Sequence, residues 1–174
     1  MRPNMALSTA FVVCLLAGCA APDTATAPAS PVRRFTLASA QSWGPENPPF
    51  NDEIILRGDG FGLVKFRQPN DGDRIVYLDT WLRGLAPNTS YALQRAVDTN
   101  VNDDCTGTAW LTLGKGSTAQ TITTDDRGTG REELFRNLGA NPVGARFDIH
   151  FRVIDVATSA VVLSSECYQF TVTQ

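Results

Sequence analysis

The sequence predicts an all-β domain over residues 35–174. Apolar residues in this region fall in short runs, several of which alternate with polar residues as strands do. Turn-forming clusters separate the runs at 70–72, 87–88, 114–116 and 125–128. Many short strands between turns are typical of a β-sandwich or a β-barrel.

Nine segments have the composition of strands. In chain order they are 53–58, 61–68, 74–83, 91–97, 108–113, 118–124, 145–155, 161–164 and 168–172. Both faces of 74–83 are apolar, which indicates a central strand. In 145–155 apolar residues alternate with Asp148, His150 and Arg152, as in an antiparallel strand with one exposed face. One short helix is predicted at 131–138, where Glu132, Glu133, Leu134 and Phe135 favour two turns.

The run Leu82-Arg83-Gly84-Leu85-Ala86-Pro87-Asn88-Thr89-Ser90-Tyr91-Ala92-Leu93 resembles a strand corner of fibronectin type III and related immunoglobulin-like sandwiches. In those folds the tyrosine at the position of Tyr91 hydrogen-bonds back across the corner. The resemblance implies an antiparallel immunoglobulin-like β-sandwich with at most one short helix. It is limited to residues 82–93, and the chain continues through more strands than a fibronectin module has. We therefore infer the sandwich architecture from this resemblance, but not membership of the fibronectin family.

The N-terminal region has the pattern of an export signal. Arg2 precedes an apolar stretch over 5–17, which is too short to cross a bilayer core of about 30 Å. Leu16-Ala17-Gly18-Cys19 then resembles the lipobox of bacterial lipoproteins. This resemblance implies that residues 1–18 are removed and that Cys19 carries a diacylglyceryl thioether and an N-linked acyl chain such as palmitate. The alternative is an ordinary secretory signal cut near residue 20 or 21, with Cys19 lost.

Lipidation of Cys19 predicts a place in the bacterial cell envelope. Several acyl chains anchor a protein stably, whereas one chain is marginal. Ala20 follows Cys19 where an Asp favours inner-membrane retention, so we expect an outer-membrane lipid anchor, facing the periplasm or the surface. The segment 19–34, rich in Ala, Pro and Thr, is typical of a disordered tether to the domain at 35–174.

The remaining cysteines indicate a disulfide. Cys14 lies in the signal and Cys19 is the lipid site, which leaves Cys105 and Cys167 in an oxidising compartment. A metal pair or two buried thiols are the alternatives. The chain has no CxxC spacing and no nearby histidine to support a metal.

Charge and motifs narrow the functional classes. The formal net charge of the chain is −3, whereas a nucleic-acid binder needs a basic surface, so this class is excluded. His150 is the only histidine, and we expect it on a solvated polar face. No nucleophile elbow, phosphate loop or paired-histidine motif occurs. The sequence therefore predicts a non-catalytic binding or structural domain. It does not identify the ligand, for which an envelope protein and a glycan are the two candidates.

A calcium site is the sharpest candidate for a bound ion. Alternating carboxylate and amide oxygens suit Ca²⁺, and they occur at Asp98, Asn100, Asn102 and Asp104. Asp103 stands where an EF-hand needs glycine, and Ala109 stands where its closing glutamate belongs. The alternative is a polar loop that leads into the bridge of Cys105.

Aromatic side chains offer a second candidate surface. Five of them are able to stack sugar rings on an exposed sheet face, namely Trp43, Trp81, Trp110, Tyr77 and Tyr91. Trp81 and Trp110 lie in strongly apolar strands, so we expect both in the core.

Two alternative functions are a calcium-stabilised adhesion domain, which would use the calcium candidate above, and a carboxylate-type enzyme acting on a glycan. The enzyme requires a pair of carboxylates such as Asp79 and Asp148 for acid–base chemistry. Asp79 interrupts an apolar strand, and an ion pair with Arg95 or Arg152 in the core explains it without catalysis.

Overall fold

A computed structural model describes residues 50–173 of the chain, and for Phe50 only the backbone. The predicted signal peptide at 1–18, the lipidation site Cys19, the tether at 19–34 and Trp43 lie outside these residues. The part of the chain that is described contains strands and turns but no helix. Accordingly, no helix in this part has the length and apolar character needed to span a membrane.

Residues 50–173 form twelve strands. Their bounds are β1 Phe50–Gly58, β2 Phe61–Gln68, β3 Ile75–Arg83, β4 Ser90–Asp98, β5 Leu111–Thr112, β6 Gly114–Lys115, β7 Thr118–Ala119, β8 Ile122–Thr123, β9 Gly130–Asn137, β10 Arg146–Asp155, β11 Val161–Ser165 and β12 Tyr168–Thr171. The predicted all-β class is confirmed.

The strands follow one path, in the order β5-β4-β10-β11-β1-β2-β3-β9-β6-β7. Strand β12 also pairs with β10, and β8 also pairs with β4. The path nearly closes, because β5 pairs with β4 while β6, the next strand in the chain, pairs with β9. The sheet is therefore barrel-like and does not divide clearly into the two sheets of an immunoglobulin-like sandwich.

The predicted helix at 131–138 is wrong, because this segment is strand β9. It pairs antiparallel with β3 along its whole length, from Leu82 opposite Gly130 to Ile75 opposite Asn137. Leu134 faces the core at 1% exposure, in register with Leu78. Hydrogen bonding to β3 and burial of Leu134 outweigh the local helical preference of the two glutamates, as tertiary context commonly does.

Alternate residues of the long strands fill the interior. Those that are at most 1% exposed include Leu56, Val64, Leu78, Leu82, Leu93, Leu134, Phe151, Val153 and Leu163, and they are joined by Leu113 between β5 and β6 and by Ile122 on the short strand β8. Phe66 meets Phe170 edge-to-face with ring centroids 4.9 Å apart. Such apolar burial stabilises the fold by about 25 cal/mol per Å².

Tyr91 lies at the corner between β3 and β4. Its side chain is 2% exposed, and its hydroxyl accepts a hydrogen bond from the backbone N–H of Ala86 at 3.1 Å. Thr124 donates its hydroxyl to the carbonyl of Ala86 at 2.7 Å. The corner is thus held from both β4 and the segment after β8.

Candidate ligand-binding site

The predicted disulfide between Cys105 and Cys167 is confirmed. The two Cα atoms lie 5.4 Å apart, and 62 positions separate the cysteines in sequence. The bridge fastens the segment between β4 and β5 to the turn between β11 and β12.

The residues of the calcium candidate bind the backbone of their own loop. The Oδ2 atom of Asp98 accepts from the N–H of Thr106 at 2.7 Å and of Gly107 at 2.8 Å. The Oδ1 atom of Asn102 accepts from the N–H of Asp104 at 3.2 Å, and Asn100 is exposed. Within residues 50–173, no group of three or more His, Cys, Asp and Glu side chains is placed to hold a metal ion. Calcium binding stays a prediction.

Asp148 and Asp79 do not form a pair. They lie on β10 and β3, which are separated by β11, β1 and β2 in the strand order. Asp148 is 0% exposed, and its Oδ2 accepts from the N–H of Asn102 at 2.7 Å and of Asp103 at 2.8 Å. The carboxylate of Asp148 therefore fastens the 99–110 segment to the outer face of β10.

Asp79 pairs with Arg67 at 3.4 Å, and not with Arg95 or Arg152 as the sequence suggested. Its cross-strand neighbour on β9 is Glu133, and the two line a surface hollow of about 290 Å³. Glu133 in turn pairs with Arg131 at 3.1 Å. The two carboxylates stand side by side, each beside its own arginine.

The expectation that Trp81 lies in the core is wrong. Its neighbours Thr80 and Leu82 take the inner positions of β3, at 0% and 1% exposure, so Trp81 faces outward. The guanidinium of Arg131 lies 4.7 Å from the Trp81 ring centroid, and the ammonium of Lys65 lies 5.9 Å away. A sugar would have to stack on the same Trp81 ring that these two cations contact, so the contacts compete with sugar binding there.

Trp110 is likewise outside the core, because it lies in the segment that crosses the outer face of β10. The guanidinium of Arg152 is 4.0 Å from the Trp110 ring centroid, and the imidazole of His150 is 4.6 Å from it. The Nε2 atom of His150 lies 3.0 Å from the carbonyl oxygen of Gly107. His150 is thus half-buried under this segment rather than fully solvated.

A cavity of about 410 Å³ lies at one end of the barrel-like sheet. Its apolar lining includes Phe66, Leu78, Val97, Leu113, Ile149 and Phe170. Asn137, Gly139 and Asn141 also line it and are exposed, so the cavity opens to solvent beside the segment that follows β9. Apolar concavities of this size with few polar groups are typical ligand sites.

Two arginines contribute the charge of this cavity. Arg95 alternates along β4 with Leu93 and Val97 and lies in register with the core residue Phe151, which places it on the inner face. Arg136 lies opposite Val76, which is 4% exposed, and so also faces inward. Cross-strand partners share a face of the sheet.

The cavity is positive and contains no carboxylate among its lining residues. Burial lowers the pKa of Arg95, and the charge of Arg136 lowers that pKa further. Arg136 donates from Nη1 to the carbonyl oxygen of Gly116 at 3.4 Å. The ion pairs within residues 50–173 join other side chains, namely Arg67–Asp79, Lys115–Glu132 and Arg131–Glu133.

The sequence carried a signal for Arg95 that was missed. Tyr91, Leu93, Arg95 and Val97 occupy one face of the predicted strand at 91–97, so an arginine interrupts an apolar series. Arg136 was missed because its segment was predicted to be a helix. Residues 134 and 136 share a face in a strand but not in a helix, so the helix prediction did not place Arg136 beside Leu134.

No protein-family model matches this chain, and no curated protein matches it either.

Proposed function

We propose that this protein is a lipid-anchored lipoprotein of the bacterial cell envelope whose domain binds a ligand without catalysis. The observation that carries the binding role is the open cavity of about 410 Å³ with its apolar lining. It provides the concave apolar surface that burying a small molecule requires. The anchoring role rests on the lipobox at Leu16–Cys19. The immunoglobulin-like sandwich architecture suggested by the corner at 82–93 belongs to the same proposal.

A binding role accounts for the described carboxylates better than glycan hydrolysis does. Asp148 is engaged by two backbone N–H groups, and Asp79 and Glu133 each have an arginine beside them. The enzyme alternative retains one specific feature, the surface hollow that Asp79 and Glu133 share. Glycan cleavage that is lost in both Asp79→Asn and Glu133→Gln would favour the enzyme.

Blocking the cavity tests the binding role. Val97 lines the cavity, and Val97→Phe adds volume there, so we expect it to abolish binding of octanol, a neutral apolar probe. Val143→Phe is the matched control, because Val143 is 42% exposed and does not line the cavity. Calorimetric titration measures both variants. Equal octanol binding by the wild type and Val97→Phe would remove the cavity as the site.

Replacing Cys19 tests the anchor. We expect the wild type in the membrane fraction, labelled when cells grow with radioactive palmitate. The Cys19→Ser variant has no thiol for the thioether and should lose the label. The Cys14→Ser variant is the control and should keep it, since Cys14 lies within the predicted signal. An unlabelled wild-type chain would refute the lipoprotein assignment.

A further inference from the structure

We infer that the cavity selects an amphiphile with an apolar chain and one carboxylate or phosphate head group, which Arg95 and Arg136 bind together. This inference rests on the proposed binding function and names the ligand class of the same cavity.

The charge of the cavity is opposite to that of the chain. The protein has 18 acidic and 15 basic residues, yet the cavity lining has two arginines and no acid. The two like charges are close enough for Arg136 to act on Arg95. An anion between them would relieve this repulsion, and a neutral ligand would not.

Within residues 50–173 the side chain of Arg95 makes no hydrogen bond or ion pair, and the side chain of Arg136 makes one long bond to a carbonyl oxygen. Removing a guanidinium from water without a partner costs free energy. Guanidinium groups bind carboxylates and phosphates through paired, charge-assisted hydrogen bonds. An anionic head group therefore supplies the negatively charged hydrogen-bond acceptor that these two side chains lack.

The rest of the lining suits an apolar chain. Arg136 immediately precedes the exposed residue Asn137, whereas Leu78 and Leu113, each 1% exposed, belong to the core. A head group held near Arg136 leaves its chain against Leu78, Leu113 and Phe66. Burying the CH₂ groups of that chain adds a favourable contribution to binding that a small inorganic anion does not obtain.

Calorimetric titration with three probes of equal chain length tests the inference. The probes are octanoate, octyl phosphate and octanol, added to the full chain carrying Cys19→Ser, so that no acyl chain on Cys19 competes. We expect the preferred anion to bind about 10- to 100-fold more tightly than octanol, as charged hydrogen bonds contribute. Comparing octanoate with octyl phosphate identifies which head group is preferred.

Arginine variants assign the effect to the cavity. Arg95→Met and Arg136→Met should each weaken binding of the preferred anion about tenfold or more and leave octanol binding unchanged or tighter. Octanol binding also verifies that each variant is folded. Arg57→Met is the matched control, since Arg57 is exposed on β1 and does not line the cavity.

The outcomes separate this inference from the proposed function. If octanol and both anions bind equally well, the cavity binds ligands but the charge preference is wrong. If Arg57→Met weakens anion binding as much as Arg95→Met does, the assignment to Arg95 is wrong. If none of the three probes binds the wild type, both the inference and the cavity as the ligand site are overturned.

Discussion

Arg95 is a charged side chain on the inner face of a strand, between Leu93 and Val97. Strand interiors that face a core normally carry apolar residues, and a cation there reduces stability unless it is paired. Arg95 therefore favours binding of an anion at the expense of the free energy of folding, a trade-off found at many functional sites.

We expect Arg95→Met to raise the melting temperature of the unliganded protein. The change removes a partly buried charge and its repulsion from Arg136, and methionine fills similar space. Because solvent screens part of this charge, the expected increase is modest, about 2–4 °C. Differential scanning calorimetry measures it, with Arg57→Met as the control expected to leave the temperature unchanged. A lower melting temperature for Arg95→Met would mean that Arg95 is stabilised in the free protein.

Asp125 makes a local contribution that depends on pH. Its Oδ1 atom accepts from the N–H of Thr129 and of Arg127, both at 2.9 Å, in the turn between β8 and β9. These bonds, that of Thr129 foremost, lower the pKa of Asp125 below its ordinary value of 3.8. The stabilisation is therefore present above pH 3.8 and is lost as pH falls through the lower, folded-state pKa.

Removing this titration tests the assignment. Asp125→Asn should be less stable than the wild type at pH 6, and the difference should shrink as pH falls below 3.8. Urea unfolding at a series of pH values measures this. Asp126→Asn is the matched control, since Asp126 is an exposed carboxylate in the same turn. A difference that stays constant with pH would exclude a role for the ionised carboxylate.

The segment between β4 and β5 is an element held by side chains rather than by strand pairing. Asp98 and Asp148 accept hydrogen bonds from four of its backbone N–H groups. The disulfide of Cys105 joins the segment to the turn between β11 and β12. Its polar composition suggested a calcium loop. The same oxygens are able to accept hydrogen bonds from backbone N–H groups. Sequence alone does not distinguish this role from calcium binding.

We expect loss of the disulfide to lower the free energy of unfolding of the domain. Cross-linking positions 62 residues apart restricts the unfolded chain and is worth about 4 kcal/mol in the chain-entropy model. The Cys105→Ser/Cys167→Ser variant should therefore lose about 2–4 kcal/mol in urea unfolding. Reductant should destabilise the wild type similarly and leave the double variant unchanged. Equal stability of oxidised and reduced wild type would show that the bridge constrains little.

The sequence indicated the all-β class and the long strands because their alternation is local information. The segment at 61–68 was predicted with the bounds of β2, and the disulfide followed from the count of cysteines. The strand order was not predictable in this way. Whether β5 and β6 close the path depends on pairings between distant segments, and no turn or period records them.

The cavity escaped prediction for a related reason. Its lining includes residues from six strands, and two of them, β4 and β9, bring Arg95 and Arg136 to the same interior from positions 41 residues apart in the chain (136 minus 95). Trp81 was placed in the core because both faces of its strand are apolar. The exposures in the folded domain, 0% for Thr80 and 1% for Leu82, show that these two residues take the inner positions.

The strand path ends at β5 and β7, and each of these terminal strands is two residues long. A long unpaired strand is a template to which a neighbouring molecule can add a strand by backbone hydrogen bonding. A very short strand has few free backbone groups for such pairing. These two ends of the strand path therefore offer little backbone with which a neighbouring molecule can pair.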